Sequence, residues 1–224
     1  MVERITIEAA DGHKIGAWRA DPSGTAIGGI VVLHAVFGLT DHMGDVCDAW
    51  AAERIAAIAP SLYDRVTPGI VHPYGHDGVE AGRQSYAAIS HAQILADIEA
   101  CRAVLSTQGP VAISGFCTGG SWAWTASATL PFDAQVNFYG SHVAQRLDQS
   151  PTCPTLMHYG DGDPIVPVPN IKKIQAANPD ILIHIHPGAG HAFFNPEQVD
   201  AHHPGASETA WQQSVDFLKM TFGA

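Results

Sequence analysis

Short apolar runs of β-forming residues recur along the chain and alternate with stretches that have helical spacing. The runs Ile30–Leu33 and Ile55–Ala59 are apolar at every position, which is typical of strands buried on both faces. Strands that alternate with helices favour a mainly parallel sheet covered by helices on both faces. The sequence therefore predicts a single α/β domain over residues 1–224, with an N-terminal hairpin that turns at Asp11-Gly12.

The residue pattern predicts eight strands and five helices. The strands are expected at 2–8, 14–20, 30–33, 55–59, 110–114, 134–139, 155–159 and 181–186. The helices are expected at 41–54, 85–107, 118–129, 168–177 and 207–222. Ligands of such sheets bind beyond the carboxyl ends of the strands. The loops at 35–40, at Cys117, after Tyr159 and after His186 are thus the places to look for a site.

The composition excludes several classes of partner. Acidic residues outnumber basic ones 22 to 11, which gives a formal charge of −11 and disfavours binding to nucleic acids or anionic membranes. The sequence has no run of about eighteen apolar residues that could span a bilayer, and its first residues lack the layout of a signal peptide. We predict a cytoplasmic protein, monomeric or a small homo-oligomer, with neither a nucleic-acid nor a membrane partner.

Cysteine and histidine spacing gives no sign of a metal site. The four cysteines lie far apart without a C-x-x-C pair, so neither a disulfide framework nor a zinc knuckle fits. Among the thirteen histidines, His184 and His186 share one face of a predicted strand, but the spacing suggests no third ligand. No metal and no other cofactor is predicted.

The segment Gly115–Gly119 has the form G-x-nucleophile-x-G between a predicted strand and a predicted helix. Such an elbow strains the central residue, here Cys117, and leaves room only for glycine two positions away on each side. The positive end of a helix favours a thiolate there, and a nearby imidazolium lowers a thiol pKa from about 8.5. Taken alone, the motif also fits a glycine-rich turn with a buried cysteine.

Two later loops supply the acid and the base that such a nucleophile needs. Tyr159–Pro167 contains two acids, and Asp163, next to an apolar Pro-Ile-Val-Pro segment, is better placed to face inward than Asp161, which can shape the turn. His191 follows a run of small residues after the last predicted strand. The chain order of nucleophile, acid and histidine is the order of α/β-hydrolases. We therefore predict Cys117, Asp163 and His191 as catalytic residues.

These residues define a mechanism of acyl transfer. His191 takes or holds the proton of Cys117 and later protonates the leaving group, while Asp163 fixes the imidazole tautomer. The oxyanion that develops needs two backbone N–H donors. The donor after the nucleophile is Thr118, and the loop after the first central strand should supply the second, for which we predict Val36.

With these residues in hand, the sequence resembles the dienelactone hydrolase (carboxymethylenebutenolidase) family of α/β-hydrolases over nearly its whole length. The resemblance lies in DGHKIGAW at 11–18, HAVFGLT at 34–40, APSLYDR at 59–65, GFCTGG at 115–120, YGDGDPIVP at 159–167 and GAGHAFFN at 188–195. It implies the α/β-hydrolase fold and cleavage of a small ester or enol-lactone through an acyl-thioester on Cys117. It also points to a set of candidate substrate contacts, namely Phe37, Arg83, Tyr86, Phe193 and Asn195.

The sequence departs from that family at two positions. Well-known members carry a glutamate that contacts the resting thiol where this chain has Ala35, and an arginine that binds the lactone carboxylate where it has Asn195. We therefore expect a substrate less anionic than the dienelactone itself. Two alternatives remain open at this point: a small-molecule-binding domain that has lost thiol activation, and an acyltransferase that uses the same nucleophile.

Overall fold

The computed structural model describes all 224 residues, which form eight strands and six helices. The strands are β1 (Glu3–Glu8), β2 (Lys14–Ala20), β3 (Gly28–Leu33), β4 (Ile55–Pro60), β5 (Val111–Phe116), β6 (Ala134–Phe138), β7 (Thr155–Gly160) and β8 (Leu182–His186). The helices are α1 (Asp41–Ala52), α2 (His76–Ala87), α3 (His91–Leu105), α4 (Thr118–Thr129), α5 (Val168–Ala177) and α6 (Pro204–Phe222). All eight predicted strands are present, and the mainly parallel pairing with an N-terminal antiparallel hairpin confirms the predicted α/β class.

The residues group into two compact units, Met1–Val111 and Ala112–Ala224. The single domain over 1–224 stays a prediction. None of the six helices combines the length and the hydropathy that crossing a lipid bilayer requires.

The first unit contains four strands in the order β1-β2-β4-β3. β1 and β2 form the predicted hairpin, β2 pairs antiparallel with β4, and β3 runs parallel to β4. Every residue of β3 and β4 is buried, as their unbroken apolar sequences predict. The carboxyl end of β3 leads into the loop at 34–40, which contains Val36.

An ion-pair network lies within the first unit. The guanidinium of Arg65 donates two hydrogen bonds to Asp97 on α3, at 2.8 and 2.6 Å, and two to Asp11 in the β1–β2 turn, at 2.8 and 3.2 Å. The Asp97 carboxylate is fully buried, whereas that of Asp11 is exposed. Arg65 therefore joins the hairpin turn, α3 and the segment after β4.

The second unit contains four parallel strands in the order β5-β6-β7-β8. β5, β6 and β7 are buried at every position, and β8 is partly exposed. Because the strands are parallel, their carboxyl ends lie at one edge of this sheet. The predicted nucleophile, acid and histidine follow β5, β7 and β8 at that edge.

The helices were predicted less well than the strands. The residue pattern did not predict α2, and the helix expected at 85–107 begins at His91. Ser90 is the N-cap of α3 and forms a capping box that fixes where the helix begins. Its hydroxyl accepts a hydrogen bond from the Gln93 N–H, and the Gln93 side chain accepts one from the Ser90 N–H.

Candidate active site

Cys117 lies in the turn between β5 and α4 with φ 54° and ψ −114°, a backbone conformation that residues with a Cβ rarely adopt. Its N–H donates to the carbonyl of Phe138 at 3.0 Å, and its carbonyl accepts from the N–H of Ser141 at 3.1 Å. A Cβ on Gly115 would lie 2.3 Å from the carbonyl oxygen of Gly119, so only glycine fits two residues before the cysteine. The elbow that the motif predicted is present.

The carboxylate of Asp163 is buried and has hydrogen-bond partners at both oxygens. Its Oδ1 accepts from the N–H groups of Ile165 and Val166 at 2.7 and 3.0 Å, and its Oδ2 lies 2.7 Å from Nδ1 of His191. Asp161 instead accepts from the N–H of Gly188 at 2.7 Å and shapes the loop. The structure thus brings Asp163, and not Asp161, to the histidine.

Aromatic rings fix the position of His191. The ring of Tyr139 meets the imidazole edge to face with 5.0 Å between centroids. Phe193 is fully buried between Tyr139 and His186, and Phe194 packs on Phe138. The imidazole keeps about 13% of its side-chain surface exposed.

The three groups shift each other's pKa. Burial alone would raise the pKa of the Cys117 thiol, but the charge of the nearby His191 and the hydrogen bond with Thr118 lower it. Burial alone would lower the pKa of His191, but the charge of Cys117 and the bond to Asp163 raise it to about 10. Burial likewise opposes ionisation of Asp163, whose pKa the His191 hydrogen bond nevertheless lowers. The arrangement favours a thiolate–imidazolium pair over the two neutral groups.

The Nε2 atom of His191 is buried and makes no hydrogen bond of good geometry with any protein atom. It lies close enough to the Cys117 sulfur for the two groups to shift each other's pKa. Apo sites often hold catalytic hydrogen bonds that are long or poorly aligned. This nitrogen is therefore free to exchange a proton with a bound molecule.

The other cysteines are chemically different from Cys117. All four are free thiols. Burial raises the pKa of Cys47 and of Cys101 far above the ordinary value, and it raises the pKa of Cys153 to about 11. Cys117 is the only cysteine whose pKa is lowered, as expected of a nucleophile.

The histidines of β8 have a partner that the sequence did not reveal. Nδ1 of His158 lies 3.1 Å from Nε2 of His186, its Nε2 lies 3.0 Å from the Ser214 hydroxyl, and its ring stacks on His184. No group of three or more His, Cys, Asp or Glu side chains in the structure has the geometry to hold a metal ion.

Val36 and Phe37 lie in the loop after β3. The N–H of Val36 donates to no protein acceptor, and its carbonyl lies 2.8 Å from the hydroxyl of Tyr63. Phe37 is buried and packs edge to face on Tyr74. A free N–H suits the predicted oxyanion donor, and both roles stay predictions.

The remaining candidate substrate contacts have varied surroundings. Arg83 is exposed on α2, and the hydroxyl of Tyr86 on the same helix lies 3.2 Å from the carbonyl of His34. Asn195 is buried, and its side-chain oxygen accepts from the N–H of Glu197 at 2.9 Å. The complete burial of Phe193 gives no support to a direct substrate contact.

Three contributions to this site were not predicted from the sequence. The hydroxyl of Thr118 lies 3.8 Å from the Cys117 sulfur, within the range of a hydrogen bond to sulfur, whereas the sequence predicted a role only for the Thr118 N–H. Tyr139, at φ 43°, supports His191, and the N–H groups of Ile165 and Val166 hold Asp163. Asp-Pro at 163–164 was the available signal for the last of these, because Asp side chains commonly accept from N–H groups two residues on.

Known proteins match this combination of fold and site. A model of the family described as "Dienelactone hydrolase family" matches residues 15–222. The chain belongs to the dienelactone hydrolase family. The resemblance that the motifs predicted is thereby confirmed.

Individual relatives agree with this membership. The chain is 28% identical to a carboxymethylenebutenolidase of Pseudomonas putida over 97% of its length and 96% of that protein's. It is 31% identical to a Synechocystis protein that carries the same name provisionally, over 89% of each chain. A crystal structure from Klebsiella pneumoniae, provisionally described as a dienelactone hydrolase, superposes with a TM-score of 0.84 at 24% identity over 100% of this chain and 98% of that one.

The comparisons decide the class of activity. Membership of the dienelactone hydrolase family, together with the carboxymethylenebutenolidase relatives, makes the chain an ester or lactone hydrolase. The structural likeness confirms the α/β-hydrolase fold. A binding domain without activity, one of the two alternatives left open by the sequence, is disfavoured by this result.

Proposed function

We propose that this dienelactone hydrolase homologue cleaves a small ester or lactone by a cysteine mechanism, with Cys117 as nucleophile, His191 as acid and base, and Asp163 as its orienting group. The observation that supports this most is the mutual pKa shift of Cys117 and His191 at the strained elbow, with Asp163 2.7 Å from the far side of the imidazole. A structural cysteine would need neither the strain nor the ion pair.

The reaction proceeds in two halves. The Cys117 thiolate attacks the carbonyl carbon, and the carbonyl oxygen takes up the electron pair as an oxyanion, for which we propose the N–H groups of Thr118 and Val36 as donors. As the intermediate collapses, the carbon–oxygen bond to the leaving group breaks, and His191 protonates the alkoxide. Water then loses a proton to His191 and attacks the acyl-thioester, which releases the acid and restores the thiolate.

We propose that thiol activation in this chain does not depend on an acid at residue 35. The groups that lower the pKa of Cys117 are His191 and Thr118, both from the second unit. Thr118 approaches the sulfur with its hydroxyl and, as the first residue of α4, has an N–H without a partner inside the helix. We propose that these donors stabilise the resting thiolate in place of the missing glutamate.

We also propose that the substrate has no carboxylate. The side chain of Asn195 is buried and accepts from the Glu197 N–H, so residue 195 offers no cation to a carboxylate. The net charge of −11 opposes the approach of anionic substrates as well. A series of uncharged lactones should be turned over faster than the same lactones with a free carboxylate, and the opposite order would refute this substrate class.

The nucleophile is tested with an activated aryl ester under stopped-flow conditions. The parent protein should release a burst of phenol equal to the enzyme concentration, and Cys117→Ala should abolish both the burst and turnover. Cys153→Ala removes another partly exposed thiol and should leave both unchanged. Turnover in Cys117→Ala at the parental rate, or no turnover in the parent, would contradict the proposal.

A further inference from the structure

The imidazole of His34 is fully buried directly after β3, outside the three residues that carry the proposed chemistry. Its Nε2 lies 3.3 Å from the backbone N of Leu62, and its Nδ1 lies 2.7 Å from the carbonyl oxygen of Ala35. The ring thus connects the loop after β3 to the short 3₁₀ helix Leu62–Arg65 after β4.

These two contacts determine the tautomer of the ring. A backbone N–H can only donate, so Nε2 must be the acceptor for Leu62 and carries no proton. Burial lowers the pKa of His34 to about 4, so the ring is neutral at neutral pH. The single ring proton is then on Nδ1 and is donated to the carbonyl of Ala35. The hydroxyl of Tyr86 lies 3.2 Å from the carbonyl oxygen of His34 and 3.4 Å from Nδ1. It donates to that carbonyl, and the much shorter distance of 2.7 Å from Nδ1 to the Ala35 carbonyl oxygen assigns the ring proton to Ala35.

The carbonyl of Ala35 and the N–H of Val36 belong to one peptide group. The structure contains no cis peptide bond, so these two groups point in opposite directions. A hydrogen bond that fixes the carbonyl therefore also fixes the direction of the N–H. The N–H of Gly38 lies 3.2 Å from the same carbonyl and provides weaker additional support.

We infer that His34 is a positioning residue that orients the Val36 N–H as an oxyanion donor by holding the Ala35 carbonyl through Nδ1–H. The inference rests on the proposed function, in which Val36 is one of the two donors. His34 touches neither substrate nor nucleophile in this role. It acts through the peptide, and its contribution appears only when the carbonyl oxygen of the substrate becomes negative.

Two amide variants separate the two hydrogen bonds of the ring. In His34→Asn the side-chain NH₂ takes the place of Nδ1 and keeps the donor to Ala35. In His34→Gln the side-chain oxygen takes the place of Nε2 and keeps the acceptor for Leu62. Each variant loses one buried hydrogen bond, so their thermal midpoints should fall by similar amounts.

The catalytic readouts should differ between the two variants. His34→Gln should lose about 10- to 100-fold in kcat with little change in KM, less than the full loss of an oxyanion donor because the N–H itself remains. His34→Asn should recover most of the parental kcat. Equal losses in both variants, or a kcat within about twofold of the parent in a folded His34→Gln, would overturn the inference.

Two thiol reagents distinguish oxyanion stabilisation from damage to the nucleophile. An aryl trifluoromethyl ketone forms a carbon–sulfur bond with Cys117 and turns its carbonyl oxygen into an oxyanion, so its affinity should fall in His34→Gln by about the same factor as kcat. Iodoacetamide alkylates the sulfur without forming an oxyanion, and its rate should stay at the parental value. A parallel fall in both would assign His34 a purely structural role.

The parent protein provides a measurement that needs no variant. Nitrogen NMR of histidine-labelled protein should show the His34 ring protonated on Nδ1, and protonation on Nε2 would overturn the inference even if His34→Gln does not fold. Failure of the proposed function has a different signature, because the parent itself would then give no burst with the aryl ester. A parental burst with an unaffected His34→Gln removes the inference alone.

Discussion

Cys117 and His191 form a pair in which each group makes the charged state of the other more favourable. The pKa of the thiol is lowered and that of the imidazole is raised, although burial opposes both changes. Mutual attraction therefore exceeds the cost of desolvation at this position. Asp163 accepts hydrogen bonds from two backbone N–H groups, which help to lower its pKa and keep its carboxylate ionised beside the pair.

The first prediction concerns the pH dependence of this thiol. A lowered pKa means that the thiolate persists below the ordinary value near 8.5 and disappears only as the pH falls through the pKa of the folded protein. Iodoacetamide should therefore alkylate Cys117 rapidly at pH 7, while Cys153, whose pKa is raised to about 11, reacts slowly. Mass spectrometry of peptides from timed alkylation measures both rates.

Removing the imidazolium provides the matched test. In His191→Gln only burial and Thr118 act on the thiol, so its pKa should rise and the alkylation rate at pH 7 should fall by about tenfold or more, because each pKa unit changes the thiolate fraction tenfold. Thr118→Val should cause a smaller fall and Thr118→Ser almost none. An identical pH profile in His191→Gln and the parent would show that His191 does not activate Cys117.

At the scale of elements, the strand–turn–helix β5–Cys117–α4 depends on the absence of a side chain at Gly115. A Cβ there would lie 2.3 Å from the Gly119 carbonyl oxygen, and the contact is with backbone that cannot move without shifting α4. Gly115→Ala should cost roughly 3 kcal/mol of unfolding free energy, at the upper end for point variants. Urea denaturation followed by circular dichroism measures the loss.

Gly24 provides the control for this prediction. A Cβ at Gly24 would meet nothing within 4 Å, and its backbone is not in the left-handed region. Gly24→Ala should change the unfolding free energy by less than about 1 kcal/mol. Equal stabilities of Gly115→Ala and Gly24→Ala would mean that the elbow can relax around an added methyl group.

The same scale shows how far the sequence could predict this fold. Buried strands were predictable because an unbroken apolar run reports burial directly, as in β3 and β4. Helix α2 was not predictable from the sequence, because Gly78 and Gly82 lower its intrinsic helix propensity. A Cβ at Gly82 would lie 1.8 Å from the Val36 carbonyl oxygen, so close packing selects glycine there and overrides propensity.

The candidate site was predictable to the level of the three residues for which we propose the chemistry. Chain order and strand ends pointed to Cys117, Asp163 and His191, which the structure brings together within the second unit. The supporting contacts were not predictable, because ring packing on His191 by Tyr139 and the choice of Nδ1 on His34 depend on atoms that are distant in sequence. Local patterns carry no information on such contacts.

Considering all 224 residues together, the ion pairs are few, and outside the candidate active site one network is deeply buried. Arg65 and Asp97 lie at its centre, with 6% and 0% of their side-chain surfaces exposed. Burial raises the pKa of Asp97 even beside the guanidinium. Removal of Arg65 would therefore leave the buried Asp97 carboxylate without a cation, which lowers the free energy of unfolding. Breaking such a pair typically costs about 3–5 kcal/mol.

A double-mutant cycle tests this network. Arg65→Met should lower the unfolding free energy by about 3 kcal/mol, whereas Arg65→Met combined with Asp97→Leu should recover much of that loss, because no uncompensated charge remains. The esterase burst should be unchanged in the double variant. An additive cycle would show that the two side chains do not stabilise the protein through each other.

The backbone at Cys117 has a consequence for which residue is most stable at this position. At φ 54° the side chain costs about 1–3 kcal/mol, whereas glycine would relieve that cost for about 0.5–1 kcal/mol of extra chain entropy. Folding stability alone would therefore favour glycine over cysteine at residue 117. In the proposed mechanism it is the reaction, and not the fold, that requires cysteine at residue 117.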